Sequence, residues 1–409
     1  MTTASPIQLN GVATISKPPR IASIDIFRGL TMLVMIFVND LASVHGLPWW
    51  TYHMKANIDA MTYVDMVFPF FLFIVGLSIP LAIRARLKKN ESMPALWMHV
   101  LLRSFSLVVM GLIIANAERG DSARMGINTD LWGLLALAGA VLFWMVYTGS
   151  ERHATLLRVL RYVGLGLMVV MFAIFRRTTH SGHVAWIEGS YPEILGLIGC
   201  TYLVVCILYI PTRRWLWAPF AWFLALLAVS AVATAREIGF PHTHHLWPFT
   251  TGAMPCVCMA GVATSAIFLG AHRWQLPRQK MLLAFVFAIF TLVAGWFLTP
   301  LGISKIRATP TWCLYSAGAA ILLFILLYWI CDVKKQTAWA FFARPAGSNT
   351  LLTYLLPDFY YFLLGWIGVS YFDTHFAFGW PGVMRSVIFT AFILVLAGIL
   401  TRLKIRMQL

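Results

Sequence analysis

The residues best placed for chemistry lie between positions 39 and 65. Asn39 and Asp40 close an apolar run, Phe37-Val38-Asn39-Asp40. Polar side chains at that point are costly unless they face a wet cavity. The Asn39 amide offers a donor and an acceptor, enough to steady a reacting carbonyl or to hold a neighbouring imidazole. The loop that follows carries His53 among Trp49, Trp50 and Tyr52. Such rings suit a membrane interface and equally the apolar face of a sugar. His53 is then either an interfacial histidine without a task or the centre of a site. Asp65 opens the next apolar run, ahead of Pro69. A carboxylate there needs a partner, and it could orient a histidine.

Other polar points interrupt apolar stretches. Asp25 and Arg28 are three residues apart, so on a helix they share a face and can pair, with Arg28 near enough to an interface to snorkel. That pair is open to a structural or a ligand-binding role. Glu193 and Asp358 are ionisable groups within membrane-type segments, and such groups are site candidates by default. Lys305 and Arg307 lie in a loop, and Asn349 and Tyr354 sit at one end of a later apolar run. The run His242-Thr243-His244-His245 has no carboxylate or cysteine at helical spacing beside it, so no metal site is expected. Cys256-Val257-Cys258 lacks a matching second pair, which argues against zinc. All six cysteines lie in apolar runs and read as buried spectator thiols.

The elements that must position these residues are membrane helices. Of 409 residues, 60% are hydrophobic and 11% charged, with mean hydropathy +0.78. A soluble protein this apolar would expose patches it could not keep monomeric. The runs are long enough for helices and lack the ten-residue alternation of a barrel. The expected fold is all-α and polytopic, with about twelve transmembrane helices, the first near 24–43, the second near 63–83 and the last near 382–402. Residues 1–22 read as a disordered cytoplasmic tail and 23–409 as one transmembrane domain. The first run lacks a small-residue cleavage site and reads as a retained span.

The net charge of +16 does not signal nucleic acid, because the basic residues cluster in short loops between apolar runs. One set of loops holds Arg84, Arg86, Lys88, Lys89, Arg273, Arg278 and Lys280, and the positive-inside rule makes that side cytoplasmic, with both termini there. Anionic lipid headgroups or an anionic cofactor are natural partners for it. Most histidines and acidic residues fall on the other side, which hints at chemistry at the outer face.

At these residues a resemblance appears. Ser23 to Arg28, Val38-Asn39, His53, Thr62 and the run Asp65 to Gly76 resemble the heparan-α-glucosaminide N-acetyltransferase family, in its short bacterial form. Looser agreement continues through Pro192 to Tyr202, Pro300 to Lys305 and Gly347 to Thr350. The chain departs from the family pattern at Gly196-Leu197 and at Leu246 to Phe249, and the Asn39-to-His53 spacing is longer. The resemblance implies a transmembrane acyltransferase that takes acetyl groups from cytoplasmic acetyl-CoA and delivers them to a glucosamine-type amine outside. It implies His53 as the essential histidine, Asn39 as its partner and Asp65 as the acidic residue opening the next helix. An amino sugar is protonated near neutral pH, so His53 would remove a proton or carry the acetyl group as a nucleophile. Asn39 would orient it or stabilise the oxyanion.

For the CoA phosphates, Arg28, Arg84, Arg86, Lys88, Arg273, Asn349 and Tyr354 are candidates. For the acceptor, the candidates are Trp49, Trp50, Glu193, Lys305 and Asp358. A bacterial inner membrane and a homodimer follow as expectations. The alternative is an inner-membrane amino-sugar transporter, with helices broken at Pro69, Pro80, Pro255 and Pro357. Such folds often carry two similar halves, and no half-to-half repeat is evident here. Uptake of labelled sugar without acetyl-CoA would distinguish the two.

Overall fold

The computed structural model describes residues 21–146, 154–179, 181–235 and 252–407. Helix α1 (Ala22–Leu41) starts where the Asp332 carboxylate accepts the N–H groups of Ala22 at 2.9 Å and Ser23 at 3.0 Å. Two of the first turn's orphan donors are thereby satisfied, and the carboxylate complements the positive dipole end. Helix α2 (Tyr63–Lys88) carries Asp65 at its start and Ser78 further along. It runs without interruption through Pro69 and Pro80, so the expected breaks are not present. There follow α3 (Met93–Ala117), α4 (Thr129–Trp144), α5 (Ala154–Ile174) and α6 (Glu193–Thr212). Next come α7 (Ala218–Ala235), α8 (Ala253–Leu269), α9 (Pro277–Phe297) and α10 (Pro310–Tyr328). Helices α11 (Thr350–Ile367), continuous through Pro357, and α12 (Gly379–Arg402) complete the bundle. Pro255 sits in the first turn of α8, where proline is tolerated.

The protein is an all-α polytopic membrane protein. Each of the twelve expected segments contains a helix. Among the described residues, nine helices are long and apolar enough to cross a membrane, while Thr129–Trp144 and Ala253–Leu269 are apolar but shorter. Many large apolar side chains are exposed, Phe285, Val286 and Ile289 on α9 and Val387, Ile388 and Val395 on α12 among them. Lipid removes the penalty for that exposure.

The most extensive helix pair is α2 against α8. Gly76 and Gly261 face each other's backbones there, and a Cβ on Gly76 would fall on the Cys258 carbonyl. Small residues let two membrane helices approach this closely. The buried Trp312 of α10 donates its indole N–H to the Asp65 carbonyl at 3.0 Å, tying α10 to the first turn of α2. At the other end, a two-stranded ribbon pairs Met145–Val146 with Arg406–Met407.

Candidate active site

The site is assembled at the start of α2. Thr62 is the N-cap, and Asp65 reaches back so that Oδ2 accepts the Thr62 N–H at 3.0 Å and the Met54 N–H at 3.3 Å. Its other oxygen, Oδ1, lies 2.8 Å from His53 Nδ1. One nearly inaccessible carboxylate, 1% exposed against 38% for the imidazole, thus caps a helix and orients a histidine at once. The loop is pinned around it. Tyr52 donates its hydroxyl to the Val44 carbonyl at 2.6 Å and accepts the Leu47 N–H at 3.2 Å, while Thr62 donates to the Tyr52 carbonyl at 2.9 Å. With Nδ1 hydrogen-bonded to a carboxylate, the network assigns the ring proton to Nδ1 and makes Nε2 the basic nitrogen.

Lys305 sits against the ring, with Nζ 3.2 Å from Nε2 and 3.4 Å from Nδ1. Lys305 comes from a tight loop closed by the Ser304 N–H donating to Thr309 Oγ1 at 3.0 Å and the Thr309 N–H donating to the Ser304 carbonyl at 3.1 Å. Burial pushes its ammonium down to about 8, and the charges of Asp65 and Glu193 pull it back up. The order Asp65–His53–Lys305 is therefore carboxylate, imidazole, cation. Nearby, Arg307 pairs with Asp59 across the same two loops.

Deeper in the bundle, Glu193 begins α6 with φ 55, a left-handed backbone that is unfavourable for a side chain with a Cβ. Its carboxylate accepts the Leu195 N–H at 2.9 Å and the Tyr354 hydroxyl at 2.8 Å. Asp358, one turn along α11 from Tyr354, is within electrostatic reach of both. Glu193 is within similar reach of Lys305. The structure thus joins His53, Asp65 and Lys305 by direct contact and, separately, Glu193 and Tyr354, with Asp358 one turn from Tyr354.

The other expected residues are placed differently. Asn39 is exposed, and no hydrogen bond joins it to His53. Trp49 and Trp50 form an exposed turn of 3-10 helix beside the His53 loop, with Trp50 leaning on Tyr63 at 6.2 Å. Arg28 pairs with Asp25 at 3.6 Å and donates to Ser78 Oγ at 2.9 Å. Together with Tyr354 it lines a cavity of about 420 Å³ between α1, α2, α3, α6 and α11.

Arg84, Arg86, Lys88, Arg273 and Asn349 do not line that cavity. Arg86 is held by Glu91 at 3.1 Å and His99 at 3.0 Å, Arg84 reaches the Leu269 carbonyl, and Arg273 lies over the Trp274 ring. Lys88 is exposed at the end of α2. Asn349 is buried and holds the C-terminal segment: its amide donates to the Ile405 carbonyl at 2.9 Å and accepts the Met407 N–H at 3.2 Å.

The expectation at His242, His244 and His245, and the departure at Leu246 to Phe249, lie outside the described residues. Sequence reasoning missed Arg103, a single arginine within the apolar run of α3 that also lines the cavity. Its isolation within that run was the available signal.

A family model described as a domain of unknown function, DUF5009, matches residues 20–252. Human heparan-alpha-glucosaminide N-acetyltransferase is 39% identical over 99 residues, which cover 24% of this chain and 14% of the human protein. The mouse protein of the same name is 37% identical over 101 residues, covering 25% of this chain and 15% of its own length. The matched stretch is thus a small part of the curated relatives.

Proposed function

This chain belongs to the DUF5009 family and is a relative of the heparan-alpha-glucosaminide N-acetyltransferases, and from that footing we propose that it is a membrane acetyltransferase. It moves the acetyl group of acetyl-CoA to the amine of glucosamine or a related amino sugar. The donor enters from the basic side, the cytoplasm of a bacterial cell, and the acceptor from the His53 side.

The observation that carries this reading is the line Asp65–His53–Lys305. Asp65 holds the Nδ1 proton at 2.8 Å, which leaves Nε2 to take the proton of the acceptor ammonium. The freed nitrogen attacks the thioester carbonyl carbon. The tetrahedral oxyanion forms beside the Lys305 ammonium, a charge already in place and half withdrawn from water. As the C–S bond breaks, the imidazolium gives its proton to the departing thiolate, and the regenerated imidazole takes the second proton from the acceptor nitrogen and passes it to water, which leaves a neutral amide, free CoA thiol and the ring in its starting state. Glu193, held by Tyr354, offers a negative partner for an acceptor that arrives as a cation. Trp49 and Trp50 present exposed ring faces where a sugar would dock.

The test is acetyl transfer by the purified protein in detergent, from labelled acetyl-CoA to glucosamine, beside His53→Ala. Transfer that disappears with His53 supports the reading. Transfer that survives the substitution removes His53 from the mechanism.

A further inference from the structure

The cavity between α1, α2, α3, α6 and α11 contains a cation that the scheme above does not use. Arg103 lies in the interior of α3, away from either end. Its Nε is buried without a hydrogen-bond partner, and no carboxylate pairs with it among the described residues. Its guanidinium sits over the Tyr202 ring at 5.0 Å. Stacking on a ring stabilises the cation but satisfies none of its five N–H donors. An arginine at that depth is expensive unless a counter-charge or a wet cavity compensates it. Arg103 lines the cavity of about 420 Å³, and Arg28 lines the same cavity, its Nη2 on Ser78 Oγ at 2.9 Å. Two guanidinium groups at one cavity suit an anion with several oxygens, because planar forks bind phosphate oxygens in pairs.

Helix α2 supplies a ruler. Ser78, which holds Arg28, and Asp65, which holds His53, are thirteen residues apart on one uninterrupted helix. At about 1.5 Å per residue that is roughly 20 Å. The pantetheine arm of acetyl-CoA has about thirteen bonds between phosphorus and sulfur, an extended reach of roughly 16 Å. A hydrogen-bond length of about 3 Å at one end makes up the difference. Met32, Met35, Phe71, Ile74 and Val75 line the cavity on the way, an apolar wall suited to the arm's methyl and methylene groups.

We propose that Arg103, together with Arg28, binds the diphosphate of acetyl-CoA inside the membrane, and that α2 thereby sets the distance at which the thioester meets His53. The proposal rests on the donor assigned above. The test compares acetyl-CoA with S-acetylpantetheine, which has the arm and the thioester but no phosphate, in the purified full-length protein, in Arg103→Gln and in Arg103→Lys.

Wild type should prefer acetyl-CoA in kcat/KM by about 100-fold. Arg103→Gln should raise the KM for acetyl-CoA by roughly 10- to 100-fold while leaving kcat/KM for S-acetylpantetheine within about 2-fold, and Arg103→Lys should recover part of the loss. Equal loss with both donors, or no loss with either, overturns the proposal. Absence of transfer from wild type with both donors counts against the acetyltransferase reading instead. Calorimetric titration with CoA then still tests Arg103: an affinity about 10-fold weaker in Arg103→Gln supports the site, and an unchanged affinity removes it.

Discussion

Lys305 places its Nζ 3.2 Å from Nε2 of His53, across 252 residues of sequence. With Nδ1 3.4 Å away as well, the contact puts a cation against the imidazole beside both of its nitrogens, where an acceptor amine and a thioester carbonyl would have to meet. Its charge state should therefore be visible in the rate. Burial brings the Lys305 ammonium down to about 8, so the charge is present below that pH and lost above it. Acetyl transfer should fall as pH rises through about 8. Arginine stays charged across the whole accessible range, so Lys305→Arg should retain activity and lose this alkaline limb. A limb that persists unchanged in Lys305→Arg would assign it to another group.

Asp65 makes two separable contributions, one to the helix cap and one to the histidine. Asp65→Asn keeps an oxygen for the Thr62 N–H but can no longer hold the Nδ1 proton as a carboxylate does. Turnover should drop by roughly 10²- to 10⁴-fold, with the KM for acetyl-CoA changed by less than about 3-fold. Thermal unfolding of the variant should shift little. A large loss of thermal stability with proportionate loss of activity would mean that the cap, not the imidazole, is what Asp65 serves.

Glu193 is a specificity residue in this scheme. Removing its charge in Glu193→Gln leaves the Tyr354 hydroxyl a partner but takes away the negative group facing a cationic acceptor. A charge-assisted hydrogen bond contributes about 1.5–3 kcal/mol, so the KM for glucosamine should rise roughly 10- to 100-fold. The KM for acetyl-CoA should stay as it was. Steady-state kinetics with each substrate varied in turn separates the two, and an effect confined to the donor would relocate Glu193 to the other side of the site.

What the sequence revealed follows from how far apart the partners are. His53 and Asp65 are twelve residues apart, and the loop between them is short enough that a histidine and a helix-opening carboxylate could be read as a pair. The helical segments were legible too, because an apolar run long enough to span lipid leaves few alternatives. Lys305 was legible only as a charged loop residue, since nothing local says which loops meet above a bundle.

Basic loop residues say little about a donor site for a physical reason. Loop arginines such as Arg86 and Arg273 satisfy the positive-inside rule whether or not a cofactor binds, and in the structure they are engaged with Glu91, His99 and Trp274. Asn349 drew notice as a polar residue at a helix end, and its amide turns out to clasp Ile405 and Met407. Arg103, hidden in an apolar run, carried the better signal, because burial makes an unpaired charge costly.

The pairing of Asp40 with Arg385 is a structural counterpart to these sites. Asp40 accepts the Tyr361 hydroxyl at 2.6 Å, the Ser386 hydroxyl at 2.6 Å and Arg385 Nη2 at 3.4 Å, joining α1, α11 and α12 at the His53 end of the bundle. The two side chains are 5% and 10% exposed, whereas the other carboxylate partner of Arg385, Asp373, is 67% exposed. Removing one member of a buried pair strands the other, at a cost of about 3–5 kcal/mol. Asp40→Ala should therefore lower the unfolding midpoint sharply, and Asp40→Asn less, since an amide oxygen still accepts from Tyr361 or Ser386. Adding Arg385→Met to Asp40→Ala should restore part of the loss, because the stranded charge is then gone. Thermal unfolding of the three variants in detergent measures this. A double variant no more stable than Asp40→Ala would show that the cost lies in the hydroxyl contacts and not in the buried charge.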